Sequence, residues 1–328
     1  MPTPETEGYV TAGYGEWDRR ELQGALSGPL GDNWQGRIAA RYLKDDGFTD
    51  DLEPGGLDDL PPDRAFHGVG VAAMHTRLAE PDRDLHVMMR SSPYGGASHG
   101  HASQNDLVIM HGGRALLCAG GMRFPFHGTT FHNDYARQSI SHNTVLVDGV
   151  GQVFDSTEHV GQLARFETHA PFAYAMGDAS AAYPAPMQRF HRHLLLVRPA
   201  NMVIVVDDLA ADRAVAFDWL GHALEKFEID PPAQRFVSRR REAEMTARLY
   251  GSCGLTLKQT DAWPVDPVAG YENAGFEPPD RRWHLTATTQ RVQACRLAAV
   301  LSIGDVRDPA GDVDIDHDGD GLTIHCGE

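Results

Sequence analysis

The chain has 328 residues, 41% hydrophobic and 23% charged, the balance of a globular protein with one large core or two modest ones. Its 29 Lys and Arg stand against 46 Asp and Glu, a formal net charge of −17. That excess excludes a broad electrostatic footprint for nucleic acid or an anionic membrane, so neither is expected as a partner. An anionic substrate would need a local cluster of Arg and His.

In chain order, Met1 to Tyr9 are polar and lack the apolar stretch of a signal peptide. Glu16 to Leu26 and Trp34 to Leu43 have helical composition, with Trp17, Leu22 and Leu26, then Ile38 and Tyr42, spaced to give apolar faces. Two short helices cannot enclose a core, so residues 1–45 are expected to be the end of a larger helical unit. The acidic stretch from Lys44 to Arg64, with its Gly and Pro, reads as a linker, bounded at 46–65.

Residues 66–328 carry strand after strand, separated by turn residues at short intervals. Strands are expected at Val69–Leu78, Leu85–Arg90, Leu107–His111, Arg114–Cys118, Thr144–Asp148, Leu163–His169 and Phe172–Gly177. Others follow at His193–Arg198, Met202–Asp207, Val215–Leu220, Met245–Tyr250, Trp283–Thr288 and Ala294–Ser302. No strand–helix alternation accompanies them. The fold expected is therefore mainly β, a large antiparallel sandwich of jelly-roll-like layers. Gly321 to Glu328 reads as a further strand cut short.

Of 17 histidines, several crowd into the stretch from Arg90 to Gln152: His99-Gly-His101, then His127 and His132, then His142-Asn143-Thr144. A His-x-His pair in an extended segment places both imidazoles on one side. Such rings can share a metal, or one can bind metal while the other does acid–base work. Antiparallel neighbours could bring His142 beside His101. The four cysteines, Cys118, Cys253, Cys295 and Cys326, are widely spaced and suggest neither a metal motif nor a disulfide framework. Asp207-Asp208 ends an apolar run and reads as a turn cap, and no carboxylate pair suited to a glycoside hydrolase stands out.

The run RSSPYGGASHGHASQNDLVIMHGGRALLCAGG, followed by HNDYARQSISHNTVLVDGVGQ, resembles the signature of heparinase II/III-type polysaccharide lyases, nearest the oligoalginate lyase and heparinase II branches. RHLLLVRPANMVIVVDDL and PPDRRWHLT resemble the same group's sandwich strands, so the likeness spans roughly Phe66 to Ser302. It implies a helical (α/α) toroid followed by antiparallel sheet layers, with the active site between them. Residues 1–45 would be a short toroid remnant, and the catalytic Tyr and a neutralising His or Asn would come from the rest of it. The implied activity is β-elimination on a uronate-containing acidic polysaccharide, alginate- or heparin-like, outside the cytoplasm in the periplasm or secreted. A homodimer is compatible with it.

Carried over residue by residue, His99 would line the cleft and assist acid–base chemistry. His101 and His142 would hold a structural Zn²⁺, with Cys118 standing where the family has an aspartate. Arg90, Gln104, Asn105 and Arg137 are candidate donors to the substrate, with Tyr94 and Tyr135 as further contacts. Two other readings compete. One is a cupin-like metal oxygenase or isomerase with Asp106 as carboxylate and His132 or His142 as last ligand. The other is a carbohydrate-binding sandwich without catalysis.

Overall fold

Strands dominate wherever the chain is described. The computed structural model covers residues 5–15, 19–31, 34–44, 60–306, 314–318 and 321–325, in two units, Met1–Asp59 and Leu60–Glu328. Among the described residues no helix is long and apolar enough to cross a membrane.

The first unit is an antiparallel meander of β1 (Glu7–Gly15), β2 (Arg19–Gly31) and β3 (Trp34–Lys44). The helices expected over Glu16–Leu26 and Trp34–Leu43, and with them the helical remnant over residues 1–45, are thus replaced by strands in the described residues. The reason lies in the spacing. Leu22 and Leu26, like Ile38 and Tyr42, are four apart, and four is both about one helical turn and two strand repeats. Gly24, Gly28 and Pro29 settle the ambiguity against a helix. In the sheet Leu22 faces Tyr42 and Gly24 faces Ala40 across β2 and β3. Residues 46–59 of the expected 46–65 linker lie outside the described residues.

The second unit begins with β4 (Asp63–Phe66), a little before the expected boundary. It continues with β5 (Val71–His75), β6 (Leu85–Arg90), β7 (Asp106–His111) and β8 (Arg114–Leu117), which form one sheet in sequence order. Next come β9 (Val145–Val147), β10 (Gln162–Thr168), β11 (Phe172–Asp178), β12 (Met187–Val197), β13 (Met202–Val215) and β14 (Phe217–Ala223). Then follow β15 (Glu228–Asp230), β16 (Arg235–Arg240), β17 (Ala243–Gly251), β18 (Leu255–Thr260), β19 (Trp283–Thr289) and β20 (Val292–Asp305), and a last hairpin of β21 (Asp314–Asp318) and β22 (Gly321–His325).

An eight-stranded sheet runs β10-β11-β12-β13-β20-β17-β16-β15, and a four-stranded one β18-β19-β14-β9. Their pairings are antiparallel. Strand β6 alternates buried and half-buried residues along its length, as do β7 and β11. That alternation turns Leu85, Val87, Met89, Leu107 and Ile109 into one apolar core with Ala173, Ala175, Leu194, Leu196, Val203 and Val205 of the large sheet. Phe217, Trp219, Leu285 and Ala287 join the same core from the four-stranded sheet. The result is the expected antiparallel sandwich. Strands β15, β16 and β18 escaped the sequence reading because charged and polar residues break their apolar pattern (RFVSRR, LTLKQT).

Asp207 does not cap a turn. It sits in the middle of β13, directly opposite Arg192 of β12, and neither side chain is exposed. Arg192 Nε and Nη2 each donate to a different Asp207 carboxylate oxygen at 2.7 Å. Its Nη1 donates to the backbone carbonyls of Asn105 and Asn143, both at 2.6 Å. A buried charge that loses its partner keeps its desolvation penalty. Asp207→Ala is therefore expected to destabilise the fold by about 3–5 kcal/mol, read as a lowered urea midpoint. A loss below about 1 kcal/mol would show that the pair is not a main tie between sheet and loops.

Candidate functional site

The segment between β6 and β7, residues 91–105, carries His99 and His101, and two arginines shape it. Arg137 donates to the carbonyls of Gly96, Ser98 and Gly100, and its guanidinium lies 4.4 Å from the centre of the Phe154 ring. Ala102 N–H donates back to the Arg137 carbonyl at 2.8 Å. Arg90, at the end of β6, donates to Ser103 Oγ at 2.9 Å and to the carbonyls of His101 and Gly95. A glycine-rich loop has much conformational freedom to lose, and these five-donor forks fix it.

Gln104 and Asn105 anchor the far end of the loop. Gln104 Oε1 accepts from Ser92 N–H at 2.6 Å, and Gln104 N–H donates to Gln152 Oε1 at 2.6 Å. Asn105, with φ at 57°, donates to the carbonyls of Gly177 and Phe190. Gln104, Asn105 and Arg137 are buried and Arg90 is half-buried. The four residues expected as substrate donors thus stand as the frame of the loop: Arg90, Asn105 and Arg137 donate to protein acceptors, while Gln104 is held through Oε1 and its buried Nε2 has no partner among the described residues.

The histidines run in a line. His99 is exposed, with its ring centre 4.7 Å from that of His127. His127 lies 4.7 Å from His132, and His132 lies 6.3 Å from His101. His101 Nδ1 then meets His142 Nε2 at 3.1 Å, and His142 Nδ1 meets Asp106 Oδ2 at 2.8 Å. Asp106 Oδ1 also accepts the Asn143 N–H at 2.8 Å. The expected meeting of His101 with His142 is in place. His127 and His132 lay in the histidine-dense stretch, but nothing in their spacing showed that they link His99 to His101. A single wide helical turn, His132–Ala136, places His132 there.

Electrostatics differ along the line. Burial, the His142 ring and the Arg137 charge hold His101 down at about 4. Burial, with help from His127, also lowers His132 from the ordinary imidazole value. Burial alone would raise Asp106, but the charge and hydrogen bond of His142 and the Asn143 N–H outweigh it and keep the carboxyl low. In the neutral form of His142, an Nδ1–H donated to the ionised Asp106 leaves Nε2 as the lone-pair atom turned toward His101.

That arrangement suits two imidazole ligands of a zinc ion, with a carboxylate orienting one from behind. Cys118 does not complete it. Its Sγ lies 4.0 Å from Arg282 Nη1, and burial raises its thiol in the metal-free fold. Among the described residues no three His, Cys, Asp or Glu side chains are grouped to hold a metal. The donor set expected for the ion therefore does not close. After dialysis against a chelator the protein is expected to retain well under one zinc per chain by elemental analysis. One firmly held equivalent would point to a third ligand.

Behind the line a second polar cluster joins the four-stranded sheet. His222 of β14 pairs with His284 of β19 in register, with ring centres 5.1 Å apart. Tyr135 OH is 3.3 Å from His284 Nδ1, and Trp263 packs against both rings. Tyr135 is fully buried and burial raises its phenol, whereas Tyr94 is exposed. Gly120 permits this packing, because a Cβ there would stand 2.4 Å from His222 Cδ2 and 2.9 Å from Tyr135 OH. The sequence offered no sign of this cluster beyond the residues themselves.

Burial lowers His284 to about 4. Unfolding restores an ordinary imidazole, so the unfolded state binds the extra proton first as pH falls. The contribution is full above about pH 6.5 and is lost between there and about 4, at up to ~1.4 kcal/mol per pH unit. Urea midpoints at pH 7.5 and 5 are expected to differ less in His284→Phe than in the parent. An unchanged difference would remove His284 as a source of the acid sensitivity.

Residues 58–299 match the profile of a family described as heparinase II/III-like, C-terminal. Among solved structures the chain is similar to a heparinase III gene product, at 14% identity and TM-score 0.63, over 78% of this chain and 38% of that one. It is also similar to the heparan sulfate lyase HepC from Pedobacter heparinus, at 12% identity and TM-score 0.63, over 80% of this chain and 40% of the other. A further structure titled heparinase III gives 12% identity and TM-score 0.61, over 81% and 41%. At such identities the likeness is one of fold, and the chain spans about two fifths of the length of these relatives. No curated protein matches it in sequence.

Proposed function

This chain belongs to the heparinase II/III-like family through its C-terminal domain, and from that premise we propose that it supplies one wall of a polysaccharide lyase site. The observation that carries the reading is the histidine line, from exposed His99 through His127 and His132 to the His101–His142–Asp106 chain. It offers imidazoles at an open surface on a rigid, buried support. A cupin-like oxygenase fits less well, because Asp106 stands behind His142 and the strands build a multi-sheet sandwich instead of one barrel.

Elimination from a uronate needs three things. The carboxylate must be neutralised so that charge developing at C5 is stabilised. A base must take the C5 proton, and an acid must protonate the glycosidic oxygen at C4. His99 is placed to exchange a proton with substrate or to donate to its carboxylate, and His127 stands beside it. In this reading His132 and His101 orient the outer pair, while Arg90, Gln104, Asn105 and Arg137 hold the loop. Tyr135 is committed to His284 within the fold, so the phenol usual in this chemistry comes from elsewhere. No step is assigned to a metal. Zinc, if held by His101 and His142, would have a structural part.

The similar structures include a heparinase III and a heparan sulfate lyase, which favours a heparan-type uronate over alginate as substrate. Polymers of that class lie outside the cell, which supports an exported location. A second reading, a carbohydrate-binding sandwich without catalysis, is favoured by one fact: the chain spans about two fifths of its solved relatives.

The test follows the ultraviolet absorbance of the C4–C5 double bond on heparan-type, heparin and alginate oligosaccharides. With the rest of the lyase site supplied in the same polypeptide, absorbance is expected to rise on a heparan-type substrate, and His99→Ala is expected to slow the rise about 100-fold or more. Oligosaccharide binding without any rise would support the second reading. A rise indifferent to His99 and His127 would overturn the site.

A further inference from the structure

Cys253 and Cys295 are far apart in sequence, yet their Sγ atoms lie 2.7 Å apart. That is closer than two unbonded atoms of this size rest, and within about 0.7 Å of a sulfur–sulfur bond. Cys253 sits in the turn between β17 and β18, half-buried, and Cys295 is a buried residue of β20. Their approach is set by the backbone. Ser252 N–H donates to the Arg296 carbonyl at 3.1 Å, and Arg296 N–H donates to Ser252 Oγ at 3.1 Å. These bonds dock the turn on β20 and hold the two sulfurs face to face. Cys118, beside Arg282, has no thiol near it among the described residues.

We propose that Cys253 and Cys295 form a disulfide that closes the segment between them into a covalent loop. The oxidant is a disulfide-bearing compound, such as oxidised glutathione or a dithiol–disulfide oxidoreductase. The thiolate of Cys253, the more accessible of the two, attacks the oxidant's sulfur, forming a mixed disulfide and expelling one thiol. The thiolate of Cys295 then attacks Cys253 Sγ and expels the second. Two protons leave the protein, and its two electrons reduce one external disulfide to two thiols.

The enclosed segment contains β18, Trp263, Arg282 and His284. These are the residues that back the second polar cluster, so the bond would fasten that side of the sandwich. Cross-linking acts chiefly by restricting the unfolded chain, and more so for a long loop. Burial and the neighbouring thiol hold the Cys253 thiol pKa high, so few thiolates form and the exchange is slow near neutral pH. The proposal concerns thiol chemistry alone and is independent of the lyase reading.

The full chain is incubated with oxidised glutathione at pH 8, unfolded in denaturant, alkylated and digested for mass spectrometry. A peptide pair joined through Cys253 and Cys295 is expected, with both cysteines alkylated only after reduction and Cys118 alkylated throughout. Reduction is expected to lower the melting temperature by about 5 °C or more. Cys253→Ser, a change in a partly exposed turn, is expected to abolish the joined peptide and the redox dependence of melting together. Alkylation of both cysteines after prolonged oxidation of the folded protein, or a cross-link of either one to a different cysteine, would overturn the proposal.

Discussion

Much of the site hangs from one buried guanidinium. Arg192 is inside the eight-stranded sheet, neutralised by Asp207 on the next strand, and its remaining reach goes to the carbonyls of Asn105 and Asn143. Those two residues follow Gln104 and His142, so one side chain sets the height of both histidine-bearing segments. Desolvating two charges is costly, and an apolar pair of the same volume could be as stable. An apolar pair could not hold two carbonyls from separate segments at 2.6 Å. The ion pair serves position more than stability.

Around that anchor the polar groups support one another. Gln152 bridges Gln104 and Tyr183, Thr144 Oγ1 donates to the Gln104 carbonyl, and Tyr183 OH donates to the Val145 carbonyl. Asn143 donates to the carbonyls of Leu107 and Cys118, so it joins the ends of β7 and β8 to its own segment. In a low-dielectric interior such a network is rigid when its members are satisfied. The flexible, glycine-rich loop bearing His99 thereby gains a fixed base, which a proton-transfer group needs for accurate placement.

The charge of this chain runs against the proposed substrate. A net −17 repels a polyanion at long range. In the proposed reading binding rests on short-range donors such as His99 and His127, which salt screens less than it screens distant charges. Rigid support matters the more for that reason, since long-range steering cannot make up for loosely held contacts.

The sandwich was legible because strands such as β6, β7 and β11 alternate buried and half-buried residues, and a period of two survives in one dimension. The helices expected over Glu16–Leu26 and Trp34–Leu43 gave way to strands for a related reason: apolar pairs four apart satisfy a helix and a strand alike, and Gly24, Gly28 and Pro29 with the strand pairing decide between them. His99, His101 and His142 were legible as short motifs. Tertiary structure alone decided the rest. Asp207 opposite Arg192, His222 opposite His284, and Cys253 against Cys295 are set by strand register. The placement of His127 and His132 between the two arms of the line is set by a folded loop. Register depends on what packs on both faces of a sheet, and that information lies in no local stretch of sequence.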